Sequence, residues 1–205
     1  MLDWIWAPRC AACDAIGAEP FCAACELTLE PLVPDGGPLA PWRFGGALAS
    51  AIRRLKFANA PYLARVLAPL WAGALAAAAA DAVVVPVPLH WRRRIRRGYD
   101  HAFLLARHAC ARAGIAPPQP LLRRIRASPP QSSLPASARD ANVRDAFGYA
   151  GGARDVPPHV ILVDDVITTG ATIAAATRAL HAAGATRVTP VALARGLFPV
   201  TSARE

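Results

Sequence analysis

Lysine is nearly absent from this sequence: Lys56 is the only one among 23 lysine and arginine residues. The net charge of +9 is therefore carried by arginine. A surface of that sign attracts polyanions, whether nucleic acid, polyphosphate or nucleotide. Other absences restrict further. No Gly-x-x-x-x-Gly-Lys-Ser/Thr run occurs, which excludes a Walker phosphate loop. No Gly-x-Gly-x-x-Gly follows a strand, which excludes a dinucleotide fingerprint. The longest apolar run, Val66 to Ala80, has fifteen residues, mostly alanine, between Arg65 and Asp81, and is too short to span a bilayer. Met1 to Trp6 lack both the basic region and the apolar core of a secretory signal. A cytoplasmic protein without membrane insertion is the expectation.

What is present begins with cysteine. Cys10 and Cys13, then Cys22 and Cys25, form two Cys-x-x-Cys knuckles separated by eight residues. Each knuckle presents two thiolates, and together they complete a closed tetrahedral site suited to structural zinc. Redox-active dithiols are the competing reading, although the flanks lack a thioredoxin-like βαβ pattern. Cys110 lies in a helical run and reads as a small core residue. Pro31, Pro34, Pro38 and Pro41, with Gly36-Gly37, read as the linker out of this module. The remaining chain is long enough to bury a full core. The predicted division is 1–41 for the zinc-binding knuckle module and its linker, and 42–205 for an α/β domain.

That domain is organised around Val160 to Thr172. Four apolar residues, Val160 to Val163, predict a strand buried on both faces of a parallel sheet. Asp164 and Asp165 stand where the strand should end, and a turn of hydroxyls and one glycine leads into a helix. The amides of Thr169, Gly170, Ala171 and Thr172, at the positive end of that helix, favour a phosphate. Gly170 allows close backbone approach, and Thr168, Thr169 and Thr172 add hydroxyl donors. Like charges keep the two aspartates off the phosphate. They suit sugar hydroxyls, which donate to carboxylates, or a magnesium ion. A phosphorelay receiver also ends a strand in paired acids, and an ordinary strand-turn-helix with chance acids is the plain alternative.

Around this centre the pattern alternates. Leu48, Ile52 and Leu55 predict a helix ending near Lys56-Phe57, with Lys56 read as a solvated helix-end lysine within reach of a phosphate. A second helix is predicted from Asn59-Ala60-Pro61 to about Ala80, interrupted or bent at Pro69. Ala82 to Val87 is a second buried strand. Five arginines between residues 92 and 97 follow its carboxyl end, where open α/β sheets bind ligands. A polyanion site competes there with a solvated charge run. Tyr99 to Ala113 continues as a helix, and His90, His101 and His108 read as polar surface or supporting groups. Residues 126–147 are polar and proline-bearing, too long for an ordinary connection, and predict a lid or a solvated insertion. Ala171 to Ala183 and Val188 to Leu193 supply the last helix and strand.

Val160 to Thr172 resembles the phosphoribosyl-pyrophosphate (PRPP) signature of type I phosphoribosyltransferases. With the cysteine knuckles, Pro86-Val87-Pro88-Leu89, the arginine run and Gln131, Leu134, Arg139, Asn142-Val143 and Phe147, the chain resembles the ComF family. These are phosphoribosyltransferase-like proteins tied to DNA uptake in competent bacteria, with relatives named for gluconate utilisation. Where that pattern reads Arg-Gly-Phe-Asn-Gln, this chain has Arg97-Gly98-Tyr99-Asp100-His101. The change predicts a negative charge near the pyrophosphate region.

The resemblance implies a type I phosphoribosyltransferase fold, a parallel sheet flanked by helices, with PRPP at the strands' carboxyl ends. It implies that Asp164 and Asp165 hold the ribose hydroxyls and that Thr168, Thr169, Gly170, Ala171 and Thr172 hold the 5′-phosphate. Arg97 and Gly98 would face pyrophosphate with magnesium, and Arg139 would close over it. The reaction implied is phosphoribosyl transfer with release of pyrophosphate, Asp164, Asp165 and Arg139 carrying it. A non-catalytic factor binding single-stranded DNA through Arg92, Arg93 and Arg94, with Trp91 and Tyr99 for stacking, is the second reading. A PRPP-sensing regulator of the DNA-uptake machinery is the third.

Overall fold

The computed structural model describes residues 7–125, 146–152 and 156–196. The strands are β1 (Trp42–Arg43), β2 (Val83–Pro86), β3 (Leu122–Arg124), β4 (Phe147–Tyr149), β5 (His159–Ile167) and β6 (Arg187–Arg195). The helices are α1 (Ala23–Glu26), α2 (Gly46–Phe57), α3 (Leu63–Leu67), α4 (Pro69–Ala78), α5 (Trp91–Arg97), α6 (His101–Ala113) and α7 (Ala171–Ala183). Four strands form one sheet in the order β1-β6-β5-β2, every neighbouring pair parallel. The pair β3 and β4 makes a separate antiparallel ribbon.

The predicted central strand is β5, which lies between β6 and β2. Its side chains alternate between two cores, Ile161 and Val163 into one, Val160 and Leu162 into the other. Helix α6 joins the first core through Leu105, Ala106 and Ala109, with Cys110 buried beside them as expected. Helix α7 joins the second through Ile173, Ala176 and Leu180. The helices that follow β2 and β5 therefore lie on opposite faces of the sheet. Between the carboxyl ends of two such strands a crevice opens, the usual ligand position in open α/β sheets. Pro86 is tolerated because β2 is an edge strand whose missing N–H faces away from β5.

The helical run predicted from Asn59 to about Ala80 is interrupted at Pro69 as expected, giving two helices, α3 and α4, with Pro69 at the first position of the second. A proline there gives up only an amide that has no helical partner. The segment read as a linker is laid against the sheet: Leu39 bridges to Val191 of β6, and Asp35 pairs with Arg195.

The cysteine lobe docks on α2. Arg54 donates to the carbonyls of Cys10 and Ala11 at 3.0 Å each and pairs with Asp14 at 2.6 Å. Thr28 Oγ1 accepts from the Ala47 amide and donates to the Cys25 carbonyl. Gly46 has φ +49°, and a Cβ there would sit 2.5 Å from the Thr28 carbonyl, so only glycine lets the lobe come this close.

Candidate phosphate and sugar site

Strand β5 delivers its acidic pair to the mouth of that crevice. A cavity of about 450 Å³ opens there, lined by Asp164, Asp165 and the turn Thr168 to Thr172, with Arg93, Arg96, Arg97 and Arg124 opposite. Thr168 and Thr169 are exposed. Gly170 precedes α7 in the left-handed conformation, φ +76°, and no side chain caps the helix. A helix start without a side-chain cap, in a cavity also lined by several guanidinium groups, suits an anion.

The two carboxylates differ. Asp165 is 2% exposed, and its Oδ2 lies 2.8 Å from Lys56 Nζ and 3.1 Å from His101 Nε2. The Lys56 contact is an ion pair, and Asp165 Oδ2 makes no well-aligned hydrogen bond to either group. Burial alone would raise its pKa, but Lys56 and His101 more than offset that and hold it far below the ordinary carboxylate range. Asp164 accepts the Asp165 amide at 2.9 Å and, among the described residues, forms no ion pair. Burial and the neighbouring Asp165 charge push its pKa well up. Beyond Asp165 the network continues, because Arg97 Nη1 lies 2.5 Å from His101 Nδ1. Arginine can only donate, so Nδ1 accepts and the ring's proton sits on Nε2, directed at Asp165.

Several sequence readings are corrected. Lys56 is not a solvated helix end but the counter-ion of Asp165. Of the two alternatives for His101, the structure selects the supporting group: it is buried against Asp165. Asp100 caps α6 by accepting the Phe103 amide and also accepts the Leu89 amide, so its carboxylate has a structural use as well. Tyr99, expected to stack, packs its partly buried ring against the core, and its hydroxyl donates to the Leu55 carbonyl. Of the arginines, Arg93, Arg96 and Arg97 line the cavity, while Arg92 and Arg94 do not. Arg92 instead stacks on exposed Trp91, 5.3 Å from its ring. Gly98 ends α5 at φ +81° and borders a neighbouring cavity. Arg124, unnoticed in the sequence, reaches in from β3 with its Cζ 5.3 Å from the Phe147 ring. Its Nε is buried with no hydrogen-bond partner. Arg139, with Gln131, Leu134, Asn142 and Val143, falls outside the described residues.

In the other lobe, Cys10, Cys13, Cys22 and Cys25 bring four Sγ atoms within 4.8 Å of one another. A tetrahedral ion with metal–sulfur bonds near 2.3 Å would hold its sulfurs about 3.8 Å apart. The Cys13 and Cys22 sulfurs already stand at 3.7 Å. Burial would raise the Cys10 thiol, yet amides of Cys13, Cys22 and Ala12 bring it down to about 6. Cys25 is pushed up to about 12 by burial and by its cysteine neighbours. Four sulfurs this close cannot all ionise without a cation among them. The cluster could hold a metal ion.

Together these features define an α/β protein with an anion-receptive cavity at the carboxyl ends of a parallel sheet and a four-cysteine lobe. Among the described residues, no helix is long and apolar enough to cross a membrane. No protein-family profile matches the chain. The chain is 33% identical over 159 residues to "Competence protein F" of Haemophilus influenzae, covering 72% of this chain and 68% of that protein. It is 30% identical over 194 residues to "DNA utilization protein YhgH" of Salmonella typhimurium, covering 86% and 85% respectively. The Escherichia coli protein of the same name is 33% identical over 117 residues, covering 56% of this chain and 49% of its own length. The chain belongs to the ComF family.

Proposed function

We propose that this chain is a PRPP-binding, phosphoribosyltransferase-like protein of the type I fold that serves DNA uptake, as its relatives' names suggest. The observation that supports the reading best is one cavity combining a carboxylate that forms no ion pair among the described residues, a helix start without a side-chain cap and an arginine wall. The 5′-phosphate would sit on Thr168 to Thr172 and the ribose hydroxyls on Asp164. The pyrophosphate would face Arg93, Arg96, Arg97 and Arg124. Positive charge develops on the sugar as pyrophosphate departs, so fixed guanidinium groups stabilise the leaving group without a side-chain nucleophile. Magnesium, when bound, would neutralise charge on the pyrophosphate, and Asp164 is the carboxylate suited to serve it.

In this reading the two acids divide their work. Asp165 anchors Lys56 and His101, and through His101 it sets Arg97, while Asp164 meets the sugar. The four-cysteine cluster is proposed to hold structural zinc, residues 1–41 forming the knuckle module and 42–205 the phosphoribosyltransferase-like domain. Calorimetry with PRPP and magnesium tests the reading. Saturable binding is expected, weakened about 10–100-fold by Asp164→Asn through lost charge-assisted hydrogen bonds. Pyrophosphate release on adding a panel of bases would establish turnover.

The pairing of Asp165 with Lys56 favours a second reading, a non-catalytic PRPP-sensing factor. An acid already committed to a cation offers less to a sugar. Binding without pyrophosphate release under any base would select it.

A further inference from the structure

Beside the first cavity lies another of about 640 Å³ that shares Lys56, Phe57, Arg93, Arg96 and Arg97 with it. Four cations line this second space and no carboxylate does, among the described residues. Two large apolar side chains also open onto it, Phe57 at 72% exposure and Ile95 at 73%. They come from the end of α2 and the middle of α5, so they form a patch rather than scattered surface residues. The Arg97 guanidinium stands 5.3 Å from the Phe57 ring centroid, and the exposure of that ring leaves much of it to solvent. Lys56 is tied to Asp165 and Arg97 to His101, so the end of α2 that carries Phe57 is fixed against the site.

An apolar ring platform ringed by positive charge suits one ligand chemistry: a planar heterocycle carrying phosphate. We infer that the second cavity binds a phosphorylated nucleobase compound, its base stacked on Phe57 and its phosphate held by Arg93 and Arg96. The base would sandwich Phe57 against Arg97, adding stacking to the cation–π pair already present. Placing this subsite on the acceptor side of the first cavity rests on the proposed PRPP reading; the binding itself does not. The sequence pointed to Arg92, Arg93 and Arg94 for single-stranded DNA; of these Arg93 lines the cavity, joined by Phe57 and Arg96.

The test compares probes with and without bases at one fixed salt concentration. Ethenoadenosine monophosphate serves as the mononucleotide, and a 5′-phosphorylated oligothymidylate as the strand. An abasic oligonucleotide of equal length serves as the control. Phe57→Ala, at an exposed position, should weaken the base-bearing probe about tenfold or more. It should leave the abasic strand within about twofold, because phosphate attraction does not depend on the ring. Phe57→Trp should restore binding. Preference for the mononucleotide or the strand identifies the source of the ligand, and either supports the subsite. Equal loss of both oligonucleotides, no loss of the base-bearing probe, or no binding to the unaltered protein overturns it. A PRPP titration run separately keeps the two readings apart, since base-dependent binding without PRPP binding would sink only the proposed function.

Discussion

The cysteine lobe and the crevice at the sheet's carboxyl edge solve opposite problems. Among the described residues the lobe has little core of its own, Cys10, Ala11 and Phe21 being its buried apolar residues, and it leans on α2. Four sulfurs drawn to a point could supply the missing centre by holding a metal ion. The crevice stands on two continuous cores and needs no ligand to exist. It gathers polar groups instead: an elevated carboxyl, arginines along one cavity and a buried guanidinium nitrogen without a hydrogen-bond partner among the described residues. One region could close around an ion. The other is held by the sheet and open to solvent, as the proposed binding site requires.

The largest effect should come from breaking the lobe. Cys13→Ser with Cys25→Ser should abolish stoichiometric zinc in metal analysis. With it should go up to about 10 kcal/mol of apparent metal-linked folding energy. Proteolysis should then cut within residues 7–30 while the sheet stays protected. Should PRPP binding vanish together with the metal, the contrast between a metal-held lobe and a self-supporting crevice is wrong.

Next in size is Asp165→Asn. It leaves Lys56 and His101 facing a buried neutral group, and removal of one partner from a buried pair costs about 3 kcal/mol or more. Denaturant unfolding should show that loss. Adding Lys56→Met should cost far less than the two single effects combined, because the second change removes the stranded charge. Additive costs would mean that the 2.8 Å contact contributes nothing.

Which parts of this were legible beforehand follows from how local each signal is. Val160 to Val163, Gly170 and the four cysteines announce themselves by neighbours in sequence: a buried strand, a left-handed turn, paired ligands. The resemblance carried by Val160 to Thr172 foresaw the crevice for the same reason. The Lys56–Asp165–His101–Arg97 network could not be read that way. Its members come from α2, β5, α6 and α5, and only the fold brings them within 3.1 Å of one another. One signal was available and was underused: a lone lysine in an arginine-rich chain is a selective choice of a compact point charge. The arginine run was read by density, whereas the helix sorts it by face, Arg93, Arg96 and Arg97 inward at helical spacing.

A smaller effect separates the two acids with opposite sign. Asp164→Asn removes a carboxylate that the fold holds against its preference, so thermal or denaturant stability should rise by about 1 kcal/mol while PRPP binding falls. Loss of stability instead would mean that Asp164 is a structural anchor like its neighbour.

The finest test is pH. The folded pKa of Asp165 is depressed, so its contribution is complete above the unfolded value of about 4 and is lost as pH falls through the folded one. Asp164 is raised, so its protonated form favours the fold. That advantage is full below about pH 4 and disappears as pH climbs through the higher folded value. The stability gap between the unaltered protein and Asp165→Asn should therefore narrow on acidification below about pH 4. The gap for Asp164→Asn should narrow over the same approach to acid and change most above it, in the range where the unfolded carboxyl has ionised and the folded one has not. Two parallel curves would mean that the adjacent carboxyls share one environment, and the division of labour between them would fail.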